Sequence, residues 1–346
     1  MPELEALDAA LLTAAQASFP LCTQPFAALG VPLGLDEAQV IHRLRALRQG
    51  GLLRQLSAIF DSRRLGYGSV LVAAHFSPEA LEARAALLGA QGGVSHSYER
   101  EHYYNLWFTL ATPPGADVEA TAKGLCVLAG ASAFHILPAL KTYKIGVKLD
   151  LSAKGSTSAP AAPVPAPVAH STQPVQLFES DKELIRVLQE DLPLLSRPFA
   201  ALAAGLGMEE DALFDWMAEA GRRGFLRRFA AVIRHRKAGF SANGMGVWSV
   251  EEARVDEVAA LLASSPAVSH CYQRPRYSDW PYNLFSMVHA RTRPECDAIL
   301  AELGRQTGIQ ERGALYSTRE FKKERVKYFV EDRAAAGASR PSSALT

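Results

Sequence analysis

The sequence predicts an α+β chain written twice, each copy a winged helix-turn-helix followed by a ferredoxin-like βαββαβ domain. Three observations predict it. Residues 18–67 and 191–240 repeat one another without a gap: Pro20 matches Pro193, Pro25-Phe26 matches Pro198-Phe199, Gly51 matches Gly224, Arg54 matches Arg227 and Gly66 matches Gly239. Within each copy the hydrophobic period changes from helical to alternating, as helix and strand succeed one another. Between the copies, residues 152–174 read SAKGSTSAPAAPVPAPVAHSTQP. That stretch is too poor in large apolar side chains to enter a core, and its prolines favour an extended spacer.

Three helical segments open the first copy. Pro25 suits a first helical position, Asp36 caps the third segment and Gly50-Gly51 stops it. Val40, Leu44 and Leu47 fall on one face of that helix, and Leu213, Met217 and Ala220 repeat the stripe in the second copy. Residues 52–60 alternate apolar and polar, as a wing strand does. Beyond it the sequence predicts strand 67–75, helix 78–89, strands 93–100 and 105–111, helix 115–129 and a closing strand 133–143. The second copy follows the same order from Gly244 to about Phe321. The expected division is winged helix 1–62, α/β domain 63–150, linker 151–175, winged helix 176–236, α/β domain 237–332 and a disordered tail 333–346.

Bulk properties narrow the function classes. The 346 residues are 48% hydrophobic and 21% charged, with a formal net charge of +1, so an anion site has to be made by local clustering. Cys22, Cys126, Cys271 and Cys296 form no CxxC pair and stand at no zinc-site spacing, as expected of thiols in a cytoplasmic protein. No apolar run reaches the ~18 residues of a membrane span, and no signal peptide is expected. Nor is there a GxGxxG opening a helix or a cysteine set for an iron–sulfur cluster. The helix-turn-helix raises DNA binding, but its third helices argue against it. The first exposes Gln39, His42, Arg43 and Ala46, whereas the second offers Ala212, Asp215, Trp216 and Glu219, whose acids repel phosphate.

The chemistry concentrates in SHSYEREHYYNLWFTL, residues 95–110. His96, Tyr98 and Arg100 alternate along a strand and so share a face. His102, Tyr103, Tyr104 and Asn105 fill the connection to the next strand, which carries Trp107. The second copy reads SHCYQRPRYSDWPYNLFSM over 269–287 and keeps His270, Tyr272 and Arg274. It inserts residues around Asp279 and Trp280, and Arg276 stands where the first copy has His102. Two related but unequal clefts are expected.

The pairing of modules, and the stretch GGLLRQLSAIFDSRRLGY in particular, resembles the Lrp/AsnC family of regulators, whose second module is an ACT/RAM-type domain. The H-x-Y-x-R triplet with a following YNL-(W/F)-(F/S) resembles the siroheme decarboxylases, and this sequence is similar to their fused two-copy form. The likeness covers about 11–148 and 184–328. It implies removal of the acetate carboxyls at C12 and C18 of siroheme, giving 12,18-didecarboxysiroheme, on the way to heme d1 or heme.

On that resemblance His96, His102 and His270 are the expected proton donors, with His96 or His270 also able to ligate the substrate's iron. The expected substrate contacts are Tyr98, Arg100, Tyr103, Tyr104, Asn105 and Trp107 in the first copy and Tyr272, Arg274, Arg276, Tyr277 and Asn283 in the second. Arg54, Arg227, Lys144 and Lys322 join them as cations for carboxylates. His75, His135, His235 and His289 have no repeated partner and read as structural or surface residues. No cofactor is expected, the two halves are expected to pair in cis, and a further homodimer or contact with other tetrapyrrole-pathway enzymes is compatible with this reading. A ligand-sensing tandem regulator and a heme carrier without turnover are the alternatives.

Overall fold

A computed structural model describes residues 5–145, 173–233 and 242–330. Most of the Ala/Pro-rich spacer, the tail, Lys148, His170 and the basic run 234–237 lie outside the described residues. The first copy comprises α1 (Ala6–Ala17), α2 (Pro25–Gly30), α3 (Glu37–Gln49), β1 (Leu53–Phe60), β2 (Gly68–His75), α4 (Pro78–Gly89), β3 (Val94–Arg100), β4 (Leu106–Thr112), α5 (Val118–Leu128), β5 (Ala133–Pro138) and β6 (Lys141–Ile145). The second comprises α6 (Glu179–Leu188), α7 (Pro198–Gly205), α8 (Glu210–Arg222), β7 (Leu226–Ile233), β8 (Ala242–Trp248), α9 (Val255–Ser264), β9 (Val268–Gln273), β10 (Leu284–Ala290), α10 (Arg293–Thr307) and β11 (Arg312–Lys323).

Local chemistry sets the winged-helix boundaries. Pro25 occupies the start of α2. Asp36 and Gln39 form a reciprocal capping box at the start of α3, with bonds of 2.8 and 3.0 Å. Gly51, at φ 71°, turns the chain into the wing. The wings then join: β1 pairs antiparallel with β7, from Leu53 opposite Ile233 to Phe60 opposite Leu226. One hydrophobic core runs under both modules and includes Phe26, Leu44, Phe199, Met217 and Phe229.

This union engages the helices that DNA would require. On α3, Arg43 is ion-paired to Glu5 and Asp8, Arg45 donates to Leu194 O and Arg48 bonds Asp191. On α8, Trp216 is half-buried, not exposed as the sequence suggested, because its indole N–H donates to Asp181 at 2.7 Å.

The α/β domains share their strands. The sheet order is β5-β2-β4-β3-β11-β8-β10-β9-β6. The first part of β11 pairs with β8 of its own copy, and the last part crosses to β3 of the other. Similarly β5 pairs with β2, while β6 crosses to β9. The closing strand expected at 133–143 is therefore broken. Pro138, lacking an N–H for the ladder, ends the first piece before β6 pairs with the other copy. Because β5 and β6 are consecutive pieces of chain, the strand order closes on itself as a ring. Helices α4 and α5 cover one sheet half, and α9 and α10 the other. Between the halves lies a mixed layer of Ala73, Tyr104, Trp107 and Leu137 with Met245, Val247, Trp280, Phe285 and Leu315.

Candidate active site

The two His-Tyr-Arg triplets point into that mixed layer. Tyr98 lies opposite Trp107 and Tyr272 opposite Phe285, and residues paired across strands share a face. A β-bulge precedes each histidine. The register slips between Val94 and His96 in one copy and between Val268 and His270 in the other, so Ser95 and Ser269 are the extra residues. A bulge re-aims its side chain, and each serine is brought beside its histidine: Oγ to Nδ1 is 3.0 Å at His96 and 2.8 Å at His270.

Arg100 and Arg274 are tied by the pseudo-twofold. Arg100 Nη1 donates to Leu315 O at 2.7 Å, and Arg274 Nη1 donates to Leu137 O of the first copy. Arg100 lies 5.9 Å from the Tyr98 ring and 5.8 Å from that of Trp107; Arg274 lies 5.0 Å from Tyr272 and 5.5 Å from Phe285. The Nε atom of each is buried without a hydrogen-bond partner among the described residues, and neither guanidinium is in an ion pair there. Burial pushes both down to about 10.

The surroundings of the two histidines differ. Opposite His96 on the neighbouring strand stands Lys323, whose carbonyl accepts from Arg54 at 3.0 Å. Opposite His270 stands Ile145, and Arg227, the counterpart of Arg54, is ion-paired to Asp61. His96 is pushed down to about 4 by burial and then by the charges of Lys323, Arg54 and His270. His270 is also pushed down to about 4, by burial and Lys144. Both rings are therefore neutral at ordinary pH.

The loop residues hold the two halves together. His102 Nδ1 accepts from the Tyr104 N–H at 3.0 Å, and its ring meets Trp280 edge-on at 5.3 Å. Tyr103 is exposed and stacks on His75 at 4.1 Å. Tyr104 is buried and donates to Asp279 of the second copy, whose other oxygen lies 3.0 Å from His135 Nε2. Tyr277 stacks on His135 at 4.0 Å and donates to Ile136 O at 2.5 Å. The insertion around Asp279 thus docks on β5, and His135 is the residue it docks on. His135 has no repeated partner in the sequence, and the structure places Gly313 at the equivalent register of the second copy: Ala73 faces His135, and Val247 faces Gly313.

Several expected contacts are engaged elsewhere. Asn105 bonds both backbone polar groups of Phe76, at 3.0 and 2.8 Å, and Asn283 both those of Val250, at 2.9 Å each. With both amide atoms engaged, each clamps its loop rather than offering a hand to a ligand. Arg276 donates to Val250 O. Trp107 is buried and gives its indole N–H to Tyr104 O at 2.7 Å.

Lys144 and Lys322 are engaged at helix ends. They pair with Cys271 and Ser97, one residue out of step with the histidines, and so face the helices. Lys322 Nζ donates to Gly89 O at 2.6 Å, at the end of α4, and Lys144 Nζ to Ser265 O at 2.8 Å, at the end of α9. A cation there satisfies the helix C-terminus. Lys144→Met and Lys322→Met are expected to lower stability by roughly 0.3–1 kcal/mol each and to leave turnover within about twofold, as thermal unfolding and kcat will show.

Comparison with known proteins follows this architecture. A family model described as an AsnC-like ligand binding domain matches residues 64–144 and 237–322, so the chain is of the class that joins such domains to helix-turn-helix modules. The helix-turn-helix modules, at 8–54 and 181–227, match a model described as the siroheme decarboxylase NirDL-like HTH domain. A siroheme decarboxylase of Hydrogenobacter thermophilus is 36% identical over 323 residues, covering 93% of this chain and 95% of that one. The chain belongs to the siroheme decarboxylase family, in its fused form. A siroheme decarboxylase beta subunit of Methanosarcina barkeri is 40% identical across 43% of this chain and 98% of its own, as expected where one copy is a separate subunit. The crystal structure of the siroheme decarboxylase NirDL in co-complex with an iron-uroporphyrin III analogue superposes with TM-score 0.73 at 32% identity, covering 96% of this chain and 98% of that one.

Proposed function

We propose that this chain decarboxylates siroheme, removing two acetate carboxyls to leave 12,18-didecarboxysiroheme for heme d1 or heme formation. The observation that carries this reading is the pair of buried guanidiniums without an ion-pair partner among the described residues, each on, or one residue past, the strand that carries a neutral, buried imidazole. A buried cation lacking a counter-ion is costly until an anion arrives, and a tetrapyrrole bearing many carboxylates supplies several. Arg100 and Arg274 grip substrate carboxylates in this reading, with Arg54 and Lys323 adding charge on the His96 side. Tyr98 and Tyr272 lie along the macrocycle rim.

Loss of each carboxylate leaves an electron pair on the acetate carbon, and a proton must reach that carbon as CO2 departs. His270 is the donor we assign, while His96, under the charges of Lys323 and Arg54, chiefly helps hold the substrate. His102 supports the loop beside them. Burial pushes the thiols of Cys126 and Cys271 up to about 12 and keeps them protonated. In this reading the only metal in the reaction is the substrate's own iron, and no further cofactor takes part. Among the described residues no helix is long and apolar enough to cross a membrane.

Anaerobic incubation with siroheme is expected to show, by mass, stepwise loss of two CO2 units. Siroheme left intact, together with tight and salt-dependent binding to promoter DNA, would overturn the reading in favour of a regulator.

A further inference from the structure

His270 is one end of a chain of side chains. Its Nδ1 lies 2.8 Å from Ser269 Oγ, which lies 2.7 Å from Nε2 of His289. Nδ1 of His289 is in turn 2.7 Å from Asn243 Oδ1. The chain crosses β9, β10 and β8, where His289 and Asn243 are direct cross-strand partners. It exists because Ser269 is a bulge residue, turned to meet histidines on two strands. An amide oxygen only accepts, so Nδ1 of His289 carries a hydrogen. Nε2 of His289 is then bare or protonated, and the serine hydroxyl turns to suit. The hydroxyl also lies 3.3 Å from Met287 O; when it turns to one imidazole or the other instead, the chain has two hydrogen-bonded states that differ in where one proton rests.

The first copy lacks this chain. Ser95 lies beside His96, but at the register of His289 and Asn243 that copy has Ala111 opposite Ser69. The asymmetry is thus one of proton supply as well as charge.

We propose that His289, acting through Ser269, holds the proton that His270 delivers to the substrate carbon. The proposal rests on the decarboxylase reading above. As the bond to the carboxylate breaks, its electron pair stays on the acetate carbon and CO2 leaves. The carbon forms a C–H bond with the proton on Nε2 of His270. Nδ1 of His270 takes the hydroxyl proton of Ser269, which takes the proton from Nε2 of His289. One proton enters for each CO2 released, and no electron passes to another reagent. His270 begins and ends neutral, as its burial demands, and the positive charge is stored away from the Arg274 guanidinium. After product leaves, Nε2 of His270 takes a proton from water and the chain runs back. His289 and Ser269 are positioning residues here, since neither touches the substrate.

The test uses the full chain with siroheme, comparing wild type, His289→Gln, Ser269→Ala, and His289→Ala with and without added imidazole. Expected are a fall in kcat of about tenfold or more in each variant, KM within about twofold of wild type, and partial recovery of His289→Ala by imidazole. Variants with wild-type kcat would overturn the relay, as would losses confined to KM or a His289→Ala defect that imidazole leaves untouched. Ser269→Ala removes only a hydroxyl, so it keeps the question open to refutation should the His289 variants unfold. A wild-type protein that leaves siroheme intact instead overturns the reaction itself.

Discussion

His270→Ala is expected to lower kcat on siroheme by about a hundredfold, a loss typical of a removed general acid. His96→Ala is expected to raise KM more than it lowers kcat, because its ring feels the charges of Lys323 and Arg54, the cations proposed to hold substrate carboxylates. His102→Ala should cost less than either, since His102 holds the Tyr104 backbone. Steady-state kinetics on the three variants decides the matter, and equal loss of turnover in all three rejects an asymmetric site. The same rings give a pH signature. Both fall from 6.5 to about 4 on folding, so between those values the unfolded chain binds more protons than the folded one. Their contribution to stability is complete above 6.5 and is lost as pH drops toward 4. An anionic substrate offsets the charges of Lys323 and Arg54 and raises the His96 value, so binding near neutrality is expected to take up protons there. Calorimetry in buffers of different ionisation enthalpy measures that uptake.

Arg100→Met and Arg274→Met are expected to weaken siroheme binding by roughly 1.5–3 kcal/mol each, the worth of a charge-assisted hydrogen bond, or about ten- to a hundredfold. Stability should change far less. Each substitution removes a buried cation whose desolvation is uncompensated, which favours folding. It also strips a donor from Leu315 O or Leu137 O, which opposes it by about 1–3 kcal/mol. The two effects offset one another. Denaturant unfolding and spectral titration, run on the same samples, separate them. Severe loss of stability with unaltered affinity in the folded fraction would show that these arginines serve only the junction between the copies.

The sequence makes the repeat, the helix caps and the alternation of His96, Tyr98 and Arg100 readable, because each depends on neighbours a few residues away. It hides what depends on partners far along the chain. Nothing local distinguishes Lys322 from Lys323, yet a single step along β11 sends one to the end of α4 and the other to the face of His96. His135 and His289 carry no repeated signal, since their counterparts are Gly313 and Ala111. A search restricted to conserved pairs within the repeat passes over residues that make the copies different. The bulges at Ser95 and Ser269 are equally silent, because an extra residue shows only against the strand it fails to match.

The crossing of β11 into the first copy has a consequence for the order in which the molecule becomes competent. Lys323, which completes the surroundings of His96, lies near the end of a chain of 346 residues. The strand that carries His96 leaves the ribosome much earlier, yet must wait for this last strand. A truncated or half-made chain therefore presents an open sheet edge and no finished cavity, and cannot capture a reactive tetrapyrrole before synthesis is nearly done.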